Sequence, residues 1–157
     1  MKPRGFKWVI SDRLAVSDRV GGSGFQHRKV RREEEITWLV EEAGINTIVS
    51  MLASNQNLAA YRQAGIATYP CPVGDPVEEG DVKRFVHTLS QAMSRRHGRV
   101  LVHRESVDDT VGGLLGSYLV SSGLVENPIL ALAIIQQILG RALGPEGRSL
   151  IPATSGQ

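Results

Sequence analysis

The chain has 157 residues, of which 41% are apolar and 22% are charged, a composition typical of a globular domain with a core of its own. The formal net charge is only +2, so overall charge does not predict a particular class of partner. No apolar run reaches the roughly 18 residues needed to span a membrane, and the first residues do not resemble a secretory signal. Cys71 is the single cysteine, which excludes an internal disulfide, and we expect a reducing, cytoplasmic location.

Positive charge is concentrated near the N-terminus, in the segment 27–32, His-Arg-Lys-Val-Arg-Arg. A basic cluster of this kind is one signature of nucleic-acid binding. Three glutamates follow directly at 33–35, so we interpret the cluster as the start of a helix whose charges pair within the chain. We therefore expect neither nucleic acid nor a membrane among the partners.

Predicted strands and helices alternate in the first half of the chain. A short apolar run at 8–10 predicts a first strand, and the glycine-rich stretch 21–24 predicts a mobile loop. Apolar residues at helical spacing over 36–43 predict a helix that ends at Gly44. The run at 46–52 is typical of a buried strand.

The same alternation continues after residue 52. Residues 55–64 predict a helix, and Gly65 is a typical C-terminal stop. The segment 66–73 predicts another strand. Its prolines at 70 and 72 indicate either an edge strand or the end of a strand, since proline cannot donate to a central ladder.

The second half begins with a helix predicted over about 82–97, followed by a central strand at 99–103 and a helix at 110–122. A last helix opens at Pro128 in its first turn. This helix is apolar around most of its circumference, which is typical of a buried helix or of an interface. We expect burial within the monomer, with a homodimer contact as the alternative.

This alternation predicts an α/β fold with three layers, in which a mostly parallel central sheet is flanked by helices. We expect a single domain over residues 1–144 and a flexible C-terminal tail over 145–157, which is rich in Gly, Pro, Ser and Thr. Sheets of this type bind ligands beyond the carboxyl ends of their strands. The loop that follows His103 is therefore the predicted site.

Segment 100–120 resembles the active-site segment of the dual-specificity and related protein tyrosine phosphatases, in which an apolar strand leads through His-Cys-x-x-Gly-x-x-Arg into a helix. Segment 14–17 resembles the strand-exit motif near that family's N-terminus, and segment 45–52 resembles its strand Gly-Ile-x-x-Ile-Val-x-Leu. Residues 69–73, followed by Asp75, resemble the loop that carries the general-acid aspartate. The resemblance covers most of the chain and implies the protein tyrosine phosphatase-like fold.

The reaction of this family needs residues that the chain lacks. A cysteine thiolate attacks phosphorus, loop amides and an arginine fork hold the phosphate, and an aspartic acid protonates the leaving oxygen. An ungapped comparison puts Arg104 at the nucleophile position, Val107 at the loop-glycine position and Thr110 at the arginine position. A protonated guanidinium has no lone pair to offer, and a hydroxyl does not replace the fork. The resemblance implies that Asp75 is a relic of the general acid, and the alternative is an exposed loop aspartate that starts a turn before Pro76.

The charges of the loop also argue against phosphate binding. The loop carries three carboxylates, at Glu105, Asp108 and Asp109, and one cation, Arg104. Its net charge is therefore −2, where the family binds a dianion. One like-charge pair at 4 Å costs about 4 kcal/mol at an effective dielectric constant of 20. We therefore expect the loop to prefer a cationic group to a phosphate.

Other residues offer no obvious replacement for the missing nucleophile. Ser106 lies in the loop without a neighbour that would activate it. His103 matches the loop-orienting histidine of the family, and we expect it to bond backbone carbonyls. Cys71 is predicted to be a small buried core residue.

The resemblance thus implies a catalytically inactive member, a pseudophosphatase kept as a binding or regulatory module. We expect a basic peptide or protein as its partner and neither a cofactor nor a metal. The predicted binding residues are those of the loop: His103, Arg104, Glu105, Ser106, Val107, Asp108, Asp109 and Thr110. Two alternatives stay open: an active phosphatase with altered chemistry that acts on a phosphoprotein or a small phosphate monoester and uses Asp75, and a hydrolase in which the loop carboxylates hold Mg²⁺.

Overall fold

The structure is a computed structural model, which describes residues 1–22, 27–53 and 57–152. The backbone forms two compact units. Unit 1 comprises Met1–Pro72 and Gln91–Val107, and unit 2 comprises Val73–Ser90 and Asp108–Gln157.

Unit 1 contains a mixed sheet of five strands. The strands are β1 (Lys7–Ile10), β2 (Leu14–Ser17), β3 (Thr47–Ser50), β4 (Ala67–Pro70) and β5 (Val100–His103). Their order in the sheet is β1-β2-β5-β3-β4, with β1 antiparallel to β2 and the other neighbours parallel. The prediction of a mostly parallel sheet is confirmed, with β5 at its centre and the proline-bearing β4 at an edge.

Two helices belong to unit 1, α1 (Lys29–Glu41) and α2 (Leu58–Gln63). They pack against the sheet through one apolar cluster, which includes Ile36, Leu39, Ile48, Tyr61 and Leu101. Both predicted glycine stops are confirmed, because Gly44 and Gly65 have φ values of 71° and 82°, which favour glycine. Two other predictions, the loop at 21–24 and the helix start at 55–56, lie partly or wholly outside the described residues.

The basic segment 27–32 is paired within unit 1. Arg31 Nε lies 2.6 Å from a carboxylate oxygen of Glu35, whose side chain is fully buried and also accepts the N–H of Gly21 at 3.0 Å. His27 Nε2 lies 3.1 Å from Asn57 Oδ1. These contacts agree with our interpretation of the cluster as a self-paired helix start.

Unit 2 contains four helices in its described residues: α3 (Glu79–Met93, whose last three residues belong to unit 1), α4 (Asp109–Ser121), α5 (Pro128–Leu139) and α6 (Pro145–Arg148). Helix α4 packs against both α5 and α6. Its glycines make this close packing feasible, since the Cα of Gly112 faces Leu139 and Leu143, and that of Gly116 faces Ile151. No helix in the described part of the chain is long and apolar enough to cross a membrane.

The segment from residue 145 differs from the flexible tail that we predicted. Residues 145–148 form α6, and Gly147 and Ile151 are buried. The close approach of Gly147 to Gly113 of α4 explains this order, because neither residue has a side chain to hold the backbones apart. The prediction is thus wrong for residues 145–151, and residues 153–157 lie outside the described part.

Candidate functional site

The predicted site begins at the carboxyl end of β5, where His103 is completely buried. Its Nε2 lies 3.2 Å from the hydroxyl of Tyr61, and Asn57 Nδ2 donates to that hydroxyl at 3.3 Å and to the carbonyl of Val20 at 2.7 Å. The other ring nitrogen, Nδ1, has no well-formed hydrogen bond. The firmest contact of His103 is therefore a side-chain hydroxyl rather than the backbone carbonyls that the sequence led us to expect.

Burial controls the ionisation of His103. Desolvation lowers the pKa of its ring from 6.5 to about 4, and the positive charge of Arg19 acts in the same direction. The backbone of Arg104 opposes this shift, and its effect is larger than that of Arg19. His103 is therefore neutral at physiological pH and adds no positive charge for an anionic ligand.

Residues 104–107 of the loop are tied to the segment that follows β2. The backbone N–H of Arg19 donates to the carbonyl of Glu105 at 3.2 Å, and Arg19 Nη1 lies 3.0 Å from a carboxylate oxygen of Glu105. The backbone N–H of Val107 donates to Asp18 Oδ1 at 2.9 Å. The Asp18 carboxylate thus accepts a hydrogen bond from a loop amide. The resemblance implies that an amide at this position would face a bound phosphate in the family.

The glycine position of the family keeps an ordinary backbone here. Among the described non-glycine residues, positive φ values occur at Asp12 and His97, and therefore not at Val107. The valine does not adopt the left-handed conformation that glycine permits.

Asp108 lies immediately before α4 and caps its N-terminus. Its extended backbone (φ −97°, ψ −173°) lets the carboxylate accept the N–H of Val111 at 3.0 Å. An N-terminal helix end attracts anions through its free N–H groups and its partial positive charge. In this chain Asp108 supplies that negative charge internally.

Asp109 is the first residue of α4 and is bonded to the segment after α5. Its carboxylate accepts hydrogen bonds from the guanidinium of Arg141 and, at 2.8 Å, from the N–H of Gly144. The bond from Arg141, and then that from Gly144, hold the pKa of Asp109 below its usual value. Asp109 is therefore an ionised structural residue of unit 2.

These contacts change how the charge of the loop is interpreted. The formal net charge of the loop remains −2, but Glu105 is paired with Arg19 and Asp109 with Arg141. The third carboxylate, Asp108, is engaged at the helix N-terminus. The loop acids are thus mainly occupied within the chain, and the expectation that they form an open acceptor for a cation needs correction.

Asp75 and Thr110, two positions singled out from the sequence, share one cleft of unit 2. This Asp75 cleft has a volume of about 240 Å³, and its lining residues are Asp75, Pro76, Val77, Thr110, Glu146, Ser149 and Leu150. Asp75 and Glu146 are exposed, and neither carboxylate has an ion-pair partner among the described residues. The cleft therefore combines two carboxylates with two hydroxyl groups.

Several residues of the site escaped the sequence analysis. Glu146 and Ser149 were missed because we treated their segment as a tail. Asp18 and Arg19 were missed although a usable signal existed: they follow β2, whose carboxyl end lies next to that of β5. Residues after adjacent parallel strands meet at one edge of a sheet.

The remaining candidates have simple placements. Cys71 follows β4 and is 1% exposed, which confirms the prediction of a buried core residue. Ser106 is exposed. Among residues 1–22, 27–53 and 57–152, no group of three or more His, Cys, Asp or Glu side chains is arranged to hold a metal ion.

No family model and no curated protein matches the chain. Solved phosphatase structures do match its fold. Kinase-associated phosphatase, in a form whose catalytic-site cysteine is substituted by serine, matches with a TM-score of 0.73 at 16% identity, over 95% of this chain and 92% of that one.

Two further structures extend this likeness. The core catalytic domain of the PP-IP phosphatase SIW14 from S. cerevisiae, in complex with citrate, matches with a TM-score of 0.68 at 14% identity, over 96% of this chain and 85% of that one. Tk-PTP in its active form also has a TM-score of 0.68 at 14% identity, over 92% of each chain. The chain therefore has the protein tyrosine phosphatase-like fold, as the resemblance of its motifs implied.

Proposed function

We propose that this phosphatase-like domain has lost the phosphatase reaction and acts as a non-catalytic binding module. The observation that carries the proposal is the loop between β5 and α4, where Arg104 follows His103 and no cysteine is present. The single thiol of the chain, Cys71, is buried after a different strand. A thiolate mechanism therefore has no nucleophile at the end of β5.

The surroundings of the loop also disfavour a bound dianion. Asp108 already occupies the amide position at the N-terminus of α4, and Asp18 accepts the amide of Val107. At either place a phosphate would have to displace the carboxylate or lie beside it, at a cost of about 4 kcal/mol for one like-charge pair at 4 Å and a dielectric constant of 20. Thr110 cannot offset this cost with a charged fork.

We expect the purified protein to release no inorganic phosphate from a generic aryl phosphate above the rate in buffer. The physical reason is the combined absence of a nucleophile and of an arginine at the end of the loop. The measurement is a discontinuous phosphate assay, run once with a chelator and once with added Mg²⁺.

The assay with a chelator and the assay with Mg²⁺ separate the two catalytic alternatives. Release in the chelated sample that disappears in Asp75→Asn would establish an active phosphatase with altered chemistry. Release that requires Mg²⁺ and disappears in a loop variant such as Glu105→Gln would establish the metal-assisted hydrolase. Either result would overturn the non-catalytic proposal.

The chemistry of the Asp75 cleft supports a basic group as the ligand. Asp75 and Glu146 supply two carboxylates, while Thr110 and Ser149 supply hydroxyls that can accept hydrogen bonds. A guanidinium fits such a set because its five N–H donors bond carboxylates in pairs. We therefore place the basic-peptide site in this cleft and not at Asp108 or Asp109.

We expect an arginine-rich peptide to bind with at least tenfold lower affinity to the Asp75→Asn/Glu146→Gln double variant than to the unchanged protein, since each substitution removes a charged acceptor. Isothermal titration calorimetry measures this affinity. The double variant Glu41→Gln/Glu42→Gln removes two exposed carboxylates of unit 1 and is the matched control for net charge.

Asp108→Asn supplies the discriminating comparison. Its carboxylate is engaged with Val111, so this variant should bind the peptide with unchanged affinity. If Asp108→Asn weakens binding and the double variant does not, the ligand contacts the loop and our placement in the Asp75 cleft is wrong. Equal affinity in all the variants would remove the cleft as a binding site.

A further inference from the structure

A group of arginines lies at the edge of the unit 1 sheet where the parallel strands begin. Strands β2 and β5 start in register, at Leu14 and Val100. The residues just before them, Arg13 and Arg99, therefore lie on neighbouring strands that are about 4.8 Å apart. The turn that leads into β5 adds further basic residues. We call this group the arginine patch: Arg13, Arg95, Arg96, His97 and Arg99.

Hydrogen bonds to neutral acceptors hold two guanidinium groups of the patch in place. Arg13 donates from Nε to the carbonyl of Gly98 at 2.9 Å and from Nη2 to the carbonyl of Met93 at 2.8 Å. Arg95 donates from Nη1 to the hydroxyl of Thr47. Because the acceptors carry no charge, these bonds fix the position of each guanidinium group and leave its positive charge uncancelled.

The patch carries a surplus of positive charge. Arg99 Nη1 lies 3.7 Å from a carboxylate oxygen of Asp12. Within the described part of the chain, Arg13 and Arg95 have no ion pair, and the exposed side chain of Arg96 has neither an ion pair nor a hydrogen bond. The four arginines and the single aspartate leave a formal charge of +3. Such a surplus on an exposed surface attracts an anion.

The exposed residue His97 has a backbone conformation that favours glycine. Its φ is 59°, in the left-handed region, where a side chain is disfavoured. The contacts of Asn46 hold the turn in this shape, since Asn46 Nδ2 donates to the carbonyl of His97 at 2.9 Å and Asn46 Oδ1 accepts the N–H of Arg99 at 3.0 Å. Disfavoured conformations of this kind are concentrated at functional sites, so the imidazole of His97 is a candidate ligand-binding group beside the arginines.

We propose that the arginine patch binds a compact anion that carries two or more linked phosphate groups and is free in solution. Guanidinium groups bond phosphate oxygens in pairs, and several of them within one small area match several linked phosphates. The two segments that form the patch, 11–13 and 94–99, contain no apolar side chain. A protein partner would therefore lack the apolar anchors of an interface, and a membrane would lack residues to insert. The patch lies at the opposite edge of the sheet from the loop after His103, so this proposal is independent of the proposed function.

Isothermal titration calorimetry with inorganic tripolyphosphate, in metal-free buffer of low ionic strength, tests the proposal. The unchanged protein should bind tripolyphosphate roughly tenfold more tightly than orthophosphate, because the longer anion engages more guanidinium groups. Arg96→Gln should weaken the binding of tripolyphosphate by roughly tenfold, since it removes a charged donor. The side chain of Arg96 has no hydrogen bond or ion pair in the described part of the chain, so this variant should unfold at the same urea concentration as the unchanged protein.

Two control variants locate the ligand. Arg4→Gln removes an exposed arginine of unit 1 outside the patch and is the matched control for net charge. Arg104→Gln removes the cation of the loop after β5. Both variants should bind tripolyphosphate with unchanged affinity. A loss in Arg104→Gln without a loss in Arg96→Gln would place the ligand at the loop, and an equal loss in Arg4→Gln would show only a general effect of charge; either result would overturn the proposal.

Two further outcomes would also contradict it. Absence of binding, or equal affinity for tripolyphosphate and orthophosphate, would exclude a site for linked phosphates. Co-sedimentation with vesicles of phosphatidylcholine and phosphatidylinositol bisphosphate distinguishes a lipid headgroup from a free ligand. Binding to these vesicles without binding to tripolyphosphate would show that our assignment of a free ligand is wrong.

Discussion

Lowering the pH from 6.5 to 4 is expected to remove about 3 kcal/mol from the free energy of unfolding through His103 alone. Burial lowers the pKa of its ring from 6.5 to about 4 in the folded protein. Each unit of such a difference corresponds to about 1.4 kcal/mol. This is one of the two largest effects that we predict for the protein.

The sign of the effect follows from the protons bound. Between pH 6.5 and 4 the unfolded chain carries a proton on His103 and the folded chain does not. Stability therefore rises with pH in this window and falls as the solution is acidified. Above pH 6.5 the ring is neutral in both states, so His103 makes no pH-dependent contribution there.

The measurement is urea unfolding at a series of pH values, compared with the variant His103→Gln. Carboxylates such as Asp81 and Asp109, whose pKa values are lowered in the folded protein, also reduce stability as the pH falls, but they do so in both proteins. The pH dependence of the unchanged protein should exceed that of the variant by about 3 kcal/mol between pH 6.5 and 4. If the free energy of unfolding of both proteins changes equally with pH, burial does not hold the His103 ring neutral.

Gly113→Ala should destabilise unit 2 by about 2 to 3 kcal/mol, the upper part of the range of roughly 1 to 3 kcal/mol for an overpacked core. A β-carbon at position 113 would overlap the carbonyl oxygen of Gly147 and lie 2.9 Å from its carbonyl carbon. Both atoms belong to the backbone of α6, which cannot rotate away as a side chain would. The added methyl group would force α6 away from α4 or strain both helices.

Gly80→Ala is the matched control for this prediction. Gly80 lies in α3, and a β-carbon there would have no atom within 4 Å. The substitution should leave stability unchanged or raise it by about 0.4–1 kcal/mol, because it reduces the entropy of the unfolded chain. A Gly113→Ala variant that unfolds at the same urea concentration as Gly80→Ala would disprove the close contact between α4 and α6.

The proposed loss of the phosphatase reaction is physically compatible with retention of the fold. The sheet and its apolar cluster depend on residues such as Leu101, Ile48 and Leu39, and not on the loop after β5. Replacing the ligand-binding groups of that loop requires new partners for the polar groups that remain. Asp108 at the start of α4 and Asp18 at the amide of Val107 supply such partners.

Much of the fold was predictable because its signals are local. The apolar spacing of α1, the stops at Gly44 and Gly65, and the prolines near β4 each act on neighbouring residues, so the sequence alone indicated these elements. The central position of β5 followed from its continuous apolar run, since a strand buried on both faces needs no polar alternation. Helix α6 was missed because its stability comes from contact with Gly113 and not from its own four residues.

The sequence by itself determined the class of the fold, the absence of a cysteine from the loop after His103 and the presence of Thr110 where the family has an arginine. Only the tertiary structure decided that the carboxylates of this loop are occupied by Arg19, Arg141 and the amide of Val111. Only it brought Asp75 and Glu146 into one cleft. The reason is that the sequence states only which residue stands at each position, whereas ion pairs and clefts join residues far apart in the chain, such as Arg19 and Glu105, which are 86 positions apart.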